Sequence, residues 1–164
     1  MARPFAALAG AAALIRAGAA WALPEGALEL ERTLALRSPP HAVACAARAG
    51  RSDLAAPISE PAGMAAARGC GEGLSQADLS ALAFIFMVEA AKSAQKNLDA
   101  IRAGIRAQTP AGGANAQDSQ SDLSEQQQIR LQMQMDRTSK AETAISNMMK
   151  HIGDTDAAIV GNLK

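Results

Sequence analysis

The chain lacks tyrosine and has one tryptophan and three phenylalanines, so aromatic residues make up only 2% of its 164 residues. Its hydrophobic content is 49%, but much of this is alanine. A thick globular core is normally built from bulky apolar side chains. The composition therefore favours thin helical packing or assembly over a compact enzyme.

The chain also lacks a net charge, because 16 basic residues balance 16 acidic ones. Nucleic-acid binding normally needs a concentrated basic face, so we do not expect a nucleic-acid partner. No apolar stretch reaches the ~20 residues of a membrane-spanning helix. Contact with a membrane surface is possible but not favoured.

Cysteine is scarce as well, with only Cys45 and Cys70 present. Their spacing fits no zinc motif and no thiol redox motif. We expect two incidental cysteines in an unfolded stretch. A disulfide formed in an oxidising compartment is the alternative.

Lysine, asparagine and glutamine are all missing from residues 1–75 and present in the rest of the chain. Five prolines fall within residues 23–73, which show no sustained hydrophobic period. Such a stretch buries too little apolar surface to offset the entropy cost of ordering. Residues 1–74 are therefore predicted to be disordered, or to be a mis-annotated leader.

Two further hypotheses concern this leader. Its alanine, glycine, arginine and proline have GC-rich codons, so a start site placed too far upstream would produce it, and Met64 is a candidate true start. Alternatively, residues 1–22 resemble a secretory signal, with an apolar centre and a small-x-small cleavage site at residues 20–22. Arg16 lies between these two features, where a charge is disfavoured.

The first long helix is predicted for residues 75–107. Ser75 and Asp78 form an S-x-x-D helix start. Steps of three and four residues then produce an unbroken a/d seam, which indicates a straight helix that seeks a partner. The seam consists of Phe84, Met87, Ala91, Ala94, Leu98, Ile101 and Ile105.

Residues 81–88 read Ala-Leu-Ala-Phe-Ile-Phe-Met-Val and are apolar on every side for two turns. We call this stretch the apolar run. A helix that is apolar all round must be buried on all sides. Because a two-helix hairpin cannot do this, we expect further copies or another chain to cover the run, rather than the preceding tail with its few bulky groups.

A polar loop is predicted for residues 108–122, where Pro110 and two glycines interrupt the helix. A second helix follows over residues 123–164, with Ser124 and Gln127 as a second capping pattern. Its apolar stripes consist of Leu131, Ile145, Ile152 and Ile159 with Met135, Met149 and Leu163. The predicted fold is all-α, an antiparallel, coiled-coil-like two-helix hairpin after a largely disordered N-terminal region.

No phosphate loop, dinucleotide fingerprint, zinc-protease motif or nucleophile elbow occurs in the sequence. His151 stands alone in the second predicted helix without a companion ligand. We therefore expect no enzyme, no metal and no cofactor.

Residues 154–164 read Asp-Thr-Asp-Ala-Ala-Ile-Val-Gly-Asn-Leu-Lys. They resemble the C-terminal end of type III secretion needle subunits, where a D-x-D-A-A-I-I-x-N-F-R ending closes the second helix of a hairpin. Val160, Leu163 and Lys164 are mild replacements in that pattern. The resemblance implies a self-assembling hairpin exported without a cleaved signal, whose second helix packs on neighbouring subunits. Needle, filament, inner rod and translocator-associated roles all remain open.

We expect a secreted structural subunit that binds copies of itself and a secretion chaperone or apparatus proteins. The alternatives are a cytoplasmic coiled-coil adaptor or chaperone-like module, and a membrane-active translocator-associated protein. The predicted assembly interface consists of Phe84, Ile85, Phe86, Met87, Val88, Ala91, Ala94, Leu98, Ile101, Ile105, Ile145, Met149, Ile152, Ile159 and Leu163.

Overall fold

A computed structural model describes residues 23–52, 58–108 and 125–162 of the chain. These residues form five α-helices and no strand, so the predicted all-α class is confirmed. The helices are α1 (Ala27–Arg37), α2 (Pro40–Ser52), α3 (Glu60–Cys70), α4 (Gln76–Gln108) and α5 (Glu125–Asn162). The predicted signal pattern (residues 1–22), most of the polar loop, Ser124 and Leu163 lie outside the described residues.

The start of α4 follows the predicted pattern. The amide of Asp78 donates to Ser75 Oγ at 3.2 Å, and the hydroxyl of Ser75 donates to Asp78 Oδ2 at 2.6 Å. The side-chain oxygen thus satisfies a backbone N–H that has no partner within the helix. At 33 residues, α4 is about 50 Å long.

The predicted two-helix hairpin is wrong as a description of the whole fold. Helices α4 and α5 do pack against each other, but α1, α2 and α3 also pack on α4. These three helices occupy the part of the chain that was predicted to be disordered. That prediction therefore fails for the described residues of 23–73.

Local sequence explains why the first part of the chain is helical. Alanine has the highest helix propensity, and the proline positions suit helix starts. Pro40 opens α2, and Pro61 lies in the first turn of α3, where the missing N–H costs nothing. Ser59 caps α3 by accepting from the amide of Ala62 at 3.5 Å. Short helices are marginal alone, so packing on α4 must stabilise them.

Helix α4 is the centre of the fold, because it contacts each of the other four helices. Its apolar run supplies most of the bulky core, and α1, α2, α3 and the middle of α5 surround it. The largest fully buried side chains are Phe84, Leu82, Ile85, Met87, Leu98, Ile145 and Val88.

Candidate functional site

The predicted assembly residues of the apolar run lie in the interior of the chain itself. Phe84, Met87 and Val88 are completely buried, and Phe86 is only 3% exposed. The expectation that the run requires burial on every side is met by the chain's own helices, rather than by further copies. In this conformation the run is not available to a second chain.

The other predicted assembly residues follow the same seam toward both ends of the hairpin. Buried members are Ile85, Ala91, Ala94, Leu98 and Ile145, and half-buried members are Ile101, Ile105, Met149 and Ile152. The side chain of Ile159 and all of Leu163 lie outside the described residues. Every member of the predicted set whose side chain is described is thus buried or half-buried.

Small residues on α2 and α3 allow these helices to approach α4 closely. A Cβ placed on Gly50 of α2 would lie 2.4 Å from the carbonyl oxygen of Phe86. A Cβ on Gly63 of α3 would lie 3.1 Å from the carbonyl oxygen of Ala83. The helices therefore meet nearly backbone to backbone, while the bulky side chains of α4 fill the space on either side.

These contacts follow a sequence pattern that hydrophobic periodicity does not detect. Residues four apart on α2 (Ala42, Ala46 and Gly50) and from the first turn of α3 to its C-cap (Gly63, Ala67 and Gly71) are all buried. Residues at this spacing share one face of a helix. Because they are small, the pattern resembles the alanine-rich background around it.

A cluster of four charged residues lies at the C-terminal end of the apolar run, where α1, α2 and α4 meet. Lys92 Nζ lies 2.7 Å from Glu31 Oε2 on α1 and 2.9 Å from Glu89 Oε1 on α4. Arg51 Nη1 on α2 lies 2.7 Å from Glu89 Oε2. Ion pairs thus connect both α1 and α2 to α4.

The pKa values of the two carboxyl groups in this cluster are shifted in opposite directions. Burial raises the pKa of Glu31, and the hydrogen bond from Lys92 offsets this only in part. Burial acts on Glu89 in the same sense, but hydrogen bonds from Lys92 and Arg51 outweigh it and lower its pKa. Burial alone would lower the pKa of Lys92, whereas its two carboxylate partners leave that pKa raised.

These pKa shifts determine whether each group stabilises the fold more at low or at high pH. Ionised Glu89 stabilises the fold above its ordinary pKa of 4.5, and this contribution is lost as the pH falls through its lowered pKa. Glu31 opposes it, because its stabilising contribution is lost as the pH rises through its raised pKa. The contribution of Lys92 persists through neutral pH and is lost above 10.5, as the pH rises through its raised pKa.

We expect Lys92→Met to destabilise the fold near neutral pH by about 1–2 kcal/mol, since it leaves Glu31 part-buried without its cation. The loss should shrink as the pH is lowered toward 4.5, where Glu31 is protonated. Urea unfolding at several pH values measures both effects. The matched control is Lys96→Met on the exposed face of α4, which should stay within about 0.5 kcal/mol of the original protein. Equal losses for the two variants would contradict the assignment.

The two cysteines, predicted to be incidental, form a disulfide. Cys45 on α2 and Cys70 on α3 are joined with a Cα–Cα distance of 5.6 Å, within the usual range for this bond. The bond connects two helices that both lie on α4. Cys45 is exposed and Cys70 is half-buried, so solvent reaches the bridge.

The exposed surface of α5 has two notable regions. Ile129 and Met133, one turn apart, are 49% and 58% exposed. The second region is the C-terminal end of α5, residues 153–162, which we call the C-terminal extension. All its described side chains are exposed, and Cβ atoms built on Gly153 and Gly161 would have no neighbour within 4 Å. The described side chains of the extension are therefore not covered by the helices that pack on the middle of α5.

The described residues contain no group of three or more potential metal ligands. An open cleft of about 300 Å³ lies between the start of α3 and the middle of α5, with Glu60, Lys140 and Thr143 in its lining. Its lining residues include no histidine or cysteine. None of the described helices is long and apolar enough to cross a membrane.

The described residues thus present a covered apolar run, a charged cluster, a disulfide and an exposed helical extension. Comparison with known proteins adds no relative to these features: no family model, no curated protein and no solved structure matches the chain.

Proposed function

We propose that this chain is a self-assembling structural subunit of a type III protein secretion apparatus, of the needle or filament kind, and that it assembles through the C-terminal extension. The observation that carries the proposal is a coincidence of sequence and position. The stretch that resembles the end of needle subunits, residues 154–164, overlaps the extension, whose described side chains are all exposed.

The extension would be stabilised by packing on a partner. A helical segment of about ten residues is marginal in water on its own, so the extension depends on the rest of α5 for its helical order and gains stability when it packs on another surface. A contact between this helix end and a different face of the next copy is heterologous. Such contacts build open helical polymers when the rotation does not close a ring.

The apolar run does not serve as the assembly surface in the folded chain, because α1, α2 and α3 cover it. This moves the proposed interface away from most of the residues predicted from sequence and toward the end of α5. Met149 and Ile152 are half-buried at the base of the extension, where they can extend the contact. The partners would be other copies, and a secretion chaperone or apparatus proteins before assembly.

The Cys45–Cys70 disulfide is compatible with a secreted subunit, because such bonds persist in oxidising, extracytoplasmic environments.

A second candidate function is a cytoplasmic adaptor that binds a helix of another protein. Ile129 and Met133 favour it, since they form a short exposed apolar stripe on α5. Secretion distinguishes the two candidates, since a subunit reaches the medium and an adaptor stays in the cytoplasm with its partner.

We expect the purified full chain to form concentration-dependent assemblies in light scattering, and Ala157→Arg to prevent them. Ala157 is exposed on the extension, so arginine there should obstruct a packed contact and leave the fold unchanged. Thermal unfolding of the monomer should therefore shift by no more than about 0.5 kcal/mol in free energy.

The matched control is Ala103→Arg, at another exposed alanine, near the end of α4. This variant should assemble like the unmodified chain. A chain that remains monomeric at high concentration would refute self-assembly. Equal loss of assembly in both variants would show that the added charge acts non-specifically, and would remove the extension from the proposed interface.

A further inference from the structure

The disulfide holds the two helices that lie against the apolar run. Helix α2 contacts α4 through the small residues of its buried face, such as Gly50. Helix α3 contacts α4 in the same way, through residues such as Gly63. The Cys45–Cys70 bond joins them outside the α4 contact. We call α2 and α3 together the cover. While the bond is intact, neither of these helices can move away from α4 without displacing the other.

Apart from the disulfide, the cover is attached to α4 only by non-covalent contacts, in which small residues pack together with half-buried Val43 and Met64. Small residues such as Ala46 and Gly50 bury little apolar surface of their own, and hydrophobic stabilisation scales with the area buried. The ion pair between Arg51 and Glu89 has one largely exposed partner, and such pairs contribute little. The cover therefore relies on the covalent link more than a bulky helix pair would.

The bond is also open to exchange. A thiolate of a cellular dithiol can attack the sulfur of exposed Cys45, which breaks the S–S bond and leaves the electron pair on the sulfur of Cys70, where a proton is taken up. The second thiol of the reductant then displaces Cys45 from the mixed disulfide. Two protein thiols are formed, and the dithiol is oxidised to its own disulfide.

We propose that the Cys45–Cys70 disulfide is a redox latch, whose reduction releases α2 and α3 from α4 and uncovers the apolar run. Disulfides form in oxidising compartments and are rare in the cytosol. If the proposed secretion holds, the chain meets both conditions. The cover would be loose in the reducing cytosol and locked after export. This inference rests on the proposed function only for its biological setting, and the latch itself can be tested in solution.

Amide hydrogen exchange of the full chain, oxidised and then reduced with dithiothreitol, tests the latch. We expect exchange in the cover (α2 and α3) and in residues 81–88 to rise at least roughly tenfold on reduction, because local opening sets this rate. Amides of α5 around Ala141 and Ile145 should change less than about threefold. A double variant, Cys45→Ser with Cys70→Ser, should resemble the reduced protein and no longer respond to the reductant.

Two results would overturn the latch. Unchanged exchange in α2 and α3 as well as in residues 81–88 would show that the cover stays closed without the bond. A similar rise throughout α4 and α5 would show that reduction unfolds the whole protein, so that the bond is merely structural. Light scattering of the same samples reports on assembly separately. A latch that opens without any association supports this inference and counts against self-assembly.

Discussion

Phe84→Ala should lower the free energy of unfolding by about 3–5 kcal/mol, the usual cost of truncating a buried phenylalanine. The ring of Phe84 is completely buried within the chain itself, so its removal leaves a cavity that the neighbouring helices fill only in part. Urea unfolding followed by circular dichroism measures the loss. The slope of the transition should stay unchanged, because the surface exposed on unfolding is nearly the same.

Two controls distinguish burial within one chain from burial between copies. Leu36→Ala on α1 removes an apolar side chain that is 81% exposed, and it should cost less than about 0.5 kcal/mol. The Phe84→Ala effect should also be constant over a roughly tenfold range of protein concentration. A Phe84→Ala effect that changes with concentration would indicate that association buries the ring, as the sequence interpretation expected.

The sequence allowed good prediction of α4. A capping pair at Ser75 and Asp78 and an uninterrupted seam are local signals, and they place its predicted ends, 75 and 107, within one residue of those observed. The sequence also predicts that residues 81–88 are buried on every side. It does not predict which segments bury them, because these segments are distant in sequence.

The sequence pattern did not predict helices α1, α2 and α3, and the reason is physical. Hydrophobic periodicity detects bulky side chains on one face, whereas α2 and α3 present alanine and glycine to α4. The prolines of residues 23–73 belong to the stretch that is predicted to be disordered, although Pro40 and Pro61 lie at helix starts. A search for small residues at a spacing of four would have indicated a close-packing face in both helices.

The candidate site was predictable to a similar, partial extent. The seam residues were identified, but burial by α1, α2 and α3 removes most of them from the surface. The disulfide could not be inferred from spacing, because Cys45 and Cys70 become neighbours only when α2 and α3 both pack on α4. The charged cluster joins Glu31 to Lys92 across 61 positions, a separation at which sequence provides no local signal.

Gly50→Ala should destabilise the protein by about 2–3 kcal/mol, even though alanine is the better helix former. The added methyl group would lie 2.4 Å from the carbonyl oxygen of Phe86, 3.0 Å from Glu89 Cβ and 3.1 Å from the amide nitrogen of Ala90. These are backbone or Cβ atoms of α4, so no flexible side chain can move aside. Helix α2 must shift away from α4 to accommodate the change.

Gly104→Ala provides the matched control, because Gly104 lies within α4 and a Cβ there would meet no atom within 4 Å. This variant should stabilise the protein by about 0.5–1 kcal/mol, through lower chain entropy in the unfolded state. The opposite signs of one substitution at two helical glycines test the close approach of α2 to α4. Stabilisation by Gly50→Ala would mean that α2 does not rest on the backbone of α4. The apolar run would then lack the cover on which both its burial and the proposed latch depend.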